Sequence, residues 1–240
     1  VEESIAKAWY DGDWSKHPWE ESTDPKYTEF DDEGKYTWLK APRFQGKPMQ
    51  VGPLAQMAVG YAQGHERTVK AVDSFLAQVS SVAGVQVGPE ILHGTIGRHA
   101  ARAVRAGIMA DLTLDHWDML VNNIGSGDYE IFNPPTFPKG EQRGVGVHEA
   151  PRGLLSHWIV IQDGKIKNYQ AVVPSTWNAG PRDAQDQPGP YEASLMGNPI
   201  ADPERPLEVL RTVHSFDPCI ACAVHMLDPE GKEMVKVKAL

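Results

Sequence analysis

The stretch Gly52-Pro-Leu-Ala-Gln-Met-Ala-Val-Gly-Tyr61 opens a region of helical periodicity. Pro53 suits the first turn of a helix, where a missing backbone N–H is no loss. Apolar residues then recur at three- and four-residue steps to about Ser81, which is the spacing of one helix face. Gly64 marks a predicted interruption of this pattern. A second helical pattern from about Pro89 to Asn123 makes helices the dominant element of the predicted fold.

Two strand signals follow this helical region. Leu154 to Val160 and Ile166 to Val173 are β-rich, and the turn Gln162-Asp-Gly-Lys165 separates them. Asp-Gly between two apolar runs predicts a tight hairpin. The sequence therefore predicts a mixed α+β, helix-dominated fold with a β-hairpin near 154–173. Residues 1–50 are expected to form irregular surface with a short hairpin, and Lys35 to Lys40 gives a brief strand signal. A loop is expected over Gly125 to Gly146. The second hairpin strand is expected to be ended by Pro174 to Asn178, and short helices are expected over Gly189 to Met196 and Pro206 to Ser215.

Composition excludes several classes of protein. The 240 residues carry 23 Lys and Arg against 32 Asp and Glu, a net charge of −9. This balance argues against a nucleic-acid partner, which needs a basic face to neutralise phosphates. No apolar run reaches the roughly 18 residues of a membrane span, so we expect no direct membrane span. Only two cysteines occur, which excludes a disulfide framework.

Both cysteines lie in the segment Asp217-Pro-Cys-Ile-Ala-Cys-Ala-Val-His225. On a helix, the spacing of Cys219, Cys222 and His225 would place two thiols and an imidazole on successive turns. Asp217 would then suit the N-terminal cap of that helix. Thiolates are the ligands that nickel, iron, zinc and copper(I) sites use, so the segment is a candidate metal site.

Several interpretations of this segment remain open from the residues alone. A structural zinc site needs four ligands, so His225 and another histidine would have to complete it. A redox pair would follow a strand in a βαβ unit, which this sequence does not predict. A c-type haem needs histidine directly after the second cysteine, where Ala223 stands. Two reduced, buried cysteines would also fit the spacing, as would a metal site completed by residues outside this sequence.

The segment resembles the C-terminal signature of the [NiFe] hydrogenase large subunit, and further motifs agree with that resemblance in the expected order. Glu149-Ala-Pro-Arg-Gly153 resembles the arginine motif of the family, and Val172-Val-Pro-Ser-Thr-Trp-Asn178 resembles the segment near the iron's diatomic ligands. Trp9 to Pro18 resembles the respiratory uptake group. The resemblance implies that residues 1–240 have the C-terminal part of the large-subunit fold, with 226–240 a cleavable extension.

The resemblance also implies the roles of the metal ligands. Cys219 would be a terminal nickel ligand and Cys222 would bridge nickel and an iron that carries CO and cyanide. His225 and the backbone carbonyl of Ala171 would bind a separate Mg²⁺ (or iron). The family's second cysteine pair lies in an Arg-x-Cys-Gly-x-Cys motif that this sequence lacks, so we expect an upstream segment to supply it.

Additional residues would surround the metals. Arg152 would place its guanidinium over the open metal position, with Asp217 as its partner and Pro151 as a wall of the pocket. Pro174 and Ser175 would contact a cyanide ligand. Either the Cys219 thiolate or Arg152, poised by Asp217, would be the proton-accepting base.

The implied activity is the reversible oxidation of H2 to protons and electrons. The implied partners are an Fe–S small subunit in a heterodimer, nickel-insertion proteins and a maturation endopeptidase. The implied location is the periplasm, with membrane association through partner subunits and a cytoplasmic stage during maturation. The rival expectation is a non-catalytic or truncated homologue with a structural zinc or other metal site.

Overall fold

A computed structural model describes residues 1–219, 223–227 and 233–238. The chain divides into two compact units. The first contains Val1–Gly52, Arg143–Ile161 and Ile166–Leu240, and the second contains Pro53–Gln142 and Gln162–Lys165. The candidate site residues that the structure describes all belong to the first unit.

The first unit begins with a small sheet of strands β1 (Glu2–Ser4), β2 (Ser15–Lys16) and β3 (Ala41–Arg43). β1 is central and antiparallel to both neighbours, so that Glu3 pairs with Lys16 on one side and Pro42 on the other. The strand signal at Lys35 to Lys40 is wrong, because Thr37 makes only an isolated bridge with Ala8. The paired backbone lies at the N-terminus instead.

A second sheet contains β4 (Glu141–Ala150), β5 (Gly153–Gln162) and β6 (Lys165–Val172), in that order. The predicted hairpin is confirmed as β5–β6. Its turn residues Asp163 and Gly164 have φ angles of 50° and 78°, the left-handed conformation that a tight hairpin turn requires. The predicted loop is wrong from Glu141 onward. Most side chains of β4 are exposed, so the strand has no apolar alternation that would reveal it, and pairing with β5 defines it.

The rest of the first unit contains α4 (Pro174–Ala179), α5 (Pro190–Leu195), α6 (Leu207–Ser215), β7 (Ala223–Leu227) and β8 (Glu233–Lys238). α5 and α6 confirm the two predicted short helices. β6 ends at Val172, one residue before the predicted end, and α4 follows directly because Pro174 starts a helical turn. β7 and β8 are antiparallel.

The helix expected over Asp217 to His225 is also wrong. Asp217 has a left-handed φ of 56°, whereas an N-terminal cap is extended, and Ala223–Leu227 is a strand.

A buried ion pair between Arg43 Nε and Asp183 Oδ2, at 2.6 Å, fixes the loop after α4 to β3. Asp183 also accepts backbone N–H bonds from Gln185 and Gln187. The loop is therefore tied to the first sheet by a fully paired carboxylate.

The second unit is a helical cluster of α1 (Pro53–Ala62), α2 (Glu66–Ala83) and α3 (Thr95–Gly125), with a 3-10 turn at Pro89–Leu92. The predicted interruption is confirmed at Gly64, whose φ is 72°. The helices bury one apolar core, formed by Leu54, Met57, Val72, Leu76, Leu92, Ala101 and Ile108.

The C-terminal half of α3 exposes an apolar stripe. Leu114, Trp117, Val121 and Ile124 recur at three- and four-residue steps and are 47–68% exposed. An exposed patch of this kind is typical of a surface that another polypeptide covers. In the described residues, no helix combines the length and apolar character that crossing a bilayer requires.

Three ionisable side chains are buried together beside the first sheet. Lys40 Nζ lies 3.0 Å from Glu3 Oε2 and also contacts Glu21 Oε2. Glu3, Glu21 and Lys40 are 0%, 4% and 8% exposed. Burial and the neighbouring Glu3 raise the pKa of Glu21 to about 8. Burial acts to lower the pKa of Lys40, but attraction to the two carboxylates outweighs it and the pKa rises. One lysine therefore shares a buried site with two acids.

We expect this cluster to make stability depend on pH. Because the folded protein raises the pKa of Glu21 from 4.5 to about 8, its contribution is fully present below pH 4.5 and is lost as pH rises through about 8. The loss cannot exceed about 1.4 kcal/mol per pH unit. The urea concentration at the midpoint of unfolding, followed by tryptophan fluorescence, should fall in the wild type as pH rises from 4.5 to about 8. In Glu21→Gln the midpoint should change much less over the same pH range. Exposed Glu20→Gln is the control, and an equally flattened profile there would contradict the assignment.

Candidate metal centre

Three segments of the first unit bring the predicted site residues together. The turn between β4 and β5 carries Pro151 and Arg152, the start of α4 carries Ser175, and the loop after α6 carries Asp217 and Cys219. None of these segments is near another in sequence, so only the fold makes them neighbours.

Arg152 and Asp217 form the first contact of the site. Arg152 Nε donates to the Asp217 backbone carbonyl at 3.1 Å and lies 3.3 Å from its carboxylate Oδ1. The two side chains are 39% and 37% exposed. A pair this exposed adds at most about 1 kcal/mol to stability, so its importance is that it orients the guanidinium towards the loop that carries Cys219.

Ser175 and Cys219 form the second contact. The Cys219 backbone N–H donates to Ser175 Oγ at 3.1 Å. Ser175 is buried, whereas Cys219 is exposed and not in a disulfide. A hydroxyl has one donor and two acceptor positions, and this bond uses an acceptor. The contact therefore fixes the Cys219 backbone on the first turn of α4 while the Cys219 side chain remains accessible.

A third set of contacts connects these two, and sequence reasoning missed it. Asn178, near the end of α4, accepts from Val51 N and donates to Val51 O, both at 3.0 Å. The neighbouring Gly52 lies against the Arg152–Gly153 backbone: a Cβ on Gly52 would come within 2.9 Å of the Arg152 carbonyl oxygen. A Cβ on Gly153 would come within 2.6 Å of Gly52 N. The sequence signal for this contact is limited to the position of Gly52 before the first helix and of Asn178 at the end of the Val172 to Asn178 motif.

The remaining predicted residues are not assembled in the described part of the chain. Pro174 is buried at the start of α4, and Pro151 is exposed beside Arg152. Ala171 lies near the end of β6, and the backbone of His225 lies in β7. Cys222 lies outside the described residues, and the side chain of His225 is likewise not described. The predicted Mg²⁺ site and the bridging thiolate therefore stay predictions.

The residues present fit one corner of a thiolate metal centre. Cys219 is an accessible thiol, the ligand type that nickel and iron sites use, and the Arg152 guanidinium supplies donors beside its loop. Over residues 1–219, 223–227 and 233–238, no group of three histidine, cysteine or acidic side chains converges. A complete ligand set thus requires residues beyond those that the structure describes.

Comparisons with known proteins agree on one family. The model of the nickel-dependent hydrogenases matches residues 1–225. The hydrogenase-2 large chain of Escherichia coli (strain K12) is 49% identical over all of this chain, which spans 42% of that protein. The uptake hydrogenase large subunit of Azotobacter chroococcum is 42% identical over 99% of this chain and 43% of its own length.

A solved structure gives the same result at the level of the fold. The reduced, active form of the Ni-Fe-Se hydrogenase from Desulfomicrobium baculatum superposes with a TM-score of 0.73 and 31% identity. The match covers 91% of this chain and 43% of that one. The mixed α+β fold is accordingly that of the hydrogenase large subunits, and the chain spans less than half the length of the relatives it matches. This chain belongs to the nickel-dependent hydrogenase family.

Proposed function

We propose that this chain is the C-terminal part of the catalytic subunit of a [NiFe] hydrogenase, which interconverts H2 with protons and electrons. The observation that carries the proposal is the convergence of Arg152, Asp217, Ser175 and Cys219 in one unit. A thiol, a cation and a buried hydroxyl at one place are suited to binding a metal and moving a proton beside it.

Each residue would have a distinct role in this centre. Cys219 and Cys222 would bind the metals, and an upstream cysteine pair would complete the ligand set. When bound, a Ni–Fe centre with CO and cyanide on the iron would supply the redox chemistry of H2 cleavage. Ser175 would hold the Cys219 backbone and orient a cyanide by hydrogen bonding. Pro151 and Pro174 would wall the pocket and exclude water.

Proton transfer would depend on the Arg152–Asp217 pair. The guanidinium presents donors in a rigid fork, and Asp217 fixes its direction through both its carbonyl and its carboxylate. Arg152 would thus hold a proton donor over the reacting side of Cys219. The proton from H2 would go either to the Cys219 thiolate or to Arg152. Arg152 could accept it only as the neutral guanidine, after giving a proton to a base such as Asp217.

Partners and location follow from the same proposal. An Fe–S small subunit would accept the electrons in a heterodimer, and the exposed stripe on α3 is consistent with burial against further polypeptide. Nickel-insertion proteins would load the centre, and an endopeptidase would remove residues 226–240 after His225. The family model's match ends at residue 225, which supports that tail assignment. His225 and Ala171 would bind the second metal, Mg²⁺ or iron, and the mature enzyme would act in the periplasm.

Metal analysis and dye reduction test this function. We expect the full-length protein that contains this chain, purified anaerobically with its copurifying subunits, to contain nickel and iron and to reduce a viologen dye under H2. The same protein from cells grown without nickel is the control, and it should be inactive. Stoichiometric zinc without nickel, in a protein that does not use H2, would instead support the rival structural-zinc homologue.

A further inference from the structure

We propose that Asn178 is a positioning residue that sets the separation between the Arg152 guanidinium and the Cys219 loop. This inference deepens the proposed function, because it concerns the geometry of the same site. Asn178 acts through Val51 and Gly52, which lie between it and the arginine turn.

The argument begins with the double hydrogen bond of Asn178. Its side chain is 2% exposed, and it pairs with both the N–H and the carbonyl of Val51 at 3.0 Å. Two bonds from one amide to one residue's backbone fix position and direction together. A buried amide of this kind is strained or unsatisfied once either partner moves, so the Val51 backbone is held rigidly to α4.

Val51 transmits this placement to the arginine turn through the next residue. Gly52 and Gly153 both have left-handed φ angles, 115° and 128°. Their backbones are too close to admit a side chain, since a Cβ on Gly153 would lie 2.6 Å from Gly52 N. Only glycine allows such an approach. Because the two backbones touch, residues 51–52 cannot shift towards the Arg152–Gly153 turn without pushing it, and a shift away would remove its support.

The contacts close into a ring. Arg152 binds Asp217, which lies two residues before Cys219; the Cys219 N–H binds Ser175 on α4; and α4 also carries Asn178. Each contact along the ring is a hydrogen bond or a backbone approach within the first unit. The Arg152 turn is therefore held at both ends, by its own side chain and by Asn178 acting through Val51 and Gly52.

Hydrogen exchange tests the ring without relying on the metals. In the full-length protein, Asn178→Leu should raise exchange at the Cys219 amide by about tenfold or more, because one support of the Arg152 turn is lost. Asn168→Leu is the matched control, since Asn168 also binds backbone carbonyls, those of Pro18 and Trp19, away from the site. Unchanged exchange at Cys219 in Asn178→Leu, with Val51 deprotected, would overturn the proposal.

Two further variants keep the test decisive if Asn178→Leu fails to fold. Asn178→Asp keeps the acceptor for Val51 N–H but replaces the donor to the Val51 carbonyl with a second acceptor, so it should also raise exchange at the Cys219 amide. Gly52→Ala would place a Cβ 2.9 Å from the Arg152 carbonyl oxygen, so it should displace the Arg152 turn on the same path and reproduce the rise at the Cys219 amide. If both variants fold and leave the Cys219 amide unchanged, the ring does not act as one unit.

A spectroscopic measurement separates positioning from simple stability. In the nickel-loaded holoenzyme, infrared bands of the iron-bound cyanide should shift in Asn178→Leu and stay in place in Asn168→Leu, since cyanide frequency reports the donors around it. Coincident bands in both variants and the wild type would overturn the proposal. Absence of such bands in the wild type would instead refute the proposed function, and the exchange result would still stand.

Discussion

Replacing Cys219 with serine is expected to abolish nickel binding and H2 oxidation together. Serine keeps the size of the side chain but removes the soft thiolate that holds nickel. Mutating a residue that only hydrogen-bonds to a metal ligand already lowers metal affinity by up to about 100-fold. Loss of the ligand itself should lower nickel affinity by more than that. Nickel content by mass spectrometry and viologen reduction under H2 measure the two effects. The Cys219 backbone bond to Ser175 does not involve the thiol, so the fold should persist.

His157→Ala is the matched control for this change. His157 is an exposed potential metal ligand in the same unit, but its ring contacts the Tyr169 hydroxyl rather than the site. The His157→Ala protein should retain nickel and H2-oxidising activity. Full nickel occupancy in Cys219→Ser would contradict the assigned ligand, and equal loss of nickel in His157→Ala would show that the assay reports protein damage rather than ligation.

Replacing Arg152 with lysine should lower kcat by about 100-fold and leave nickel in place. Loss of one donor aimed at developing charge typically has an effect of this size. Lysine retains the positive charge, but it is a point charge and cannot reproduce the planar fork that binds Asp217 through Nε. Initial rates of H2 oxidation at saturating H2, with nickel measured on the same sample, separate catalysis from metal loading.

The control for Arg152→Lys is Arg143→Lys. Arg143 lies in the same unit, with its guanidinium over the Trp19 ring at 5.8 Å from the ring centroid, a contact that a lysine ammonium can also make. The variant should keep kcat within about twofold, since substitutions of this kind change little. A normal kcat in Arg152→Lys would remove the guanidinium from the mechanism and leave Cys219 as the proton acceptor.

The motifs and periodicity were enough to predict the family and much of the architecture. The helices of the second unit follow from apolar spacing and from Gly64, and β5–β6 follows from Asp163-Gly164, because these signals are local. The resemblance of Asp217 to His225 to the family's cysteine motif was visible in the sequence alone, because the residue types and spacing of a short motif do not depend on the fold.

The sequence misled where neighbours rather than local residues decide conformation. β4 exposes most of its side chains and is defined by its partner strand, and Asp217 takes a left-handed conformation where a helix cap was expected. In both cases pairing or loop geometry outweighed intrinsic preference.

By itself, the sequence determined the family, the thiol at Cys219 and the identity of the arginine at 152, because residue type and local spacing are properties of the chain. Tertiary structure alone decided that Arg152 meets Asp217, that Ser175 holds the Cys219 backbone, and that Asn178 clamps Val51. These contacts join residues 44 to 127 positions apart. They exist because folding fixes the distances between segments that one-dimensional spacing leaves free.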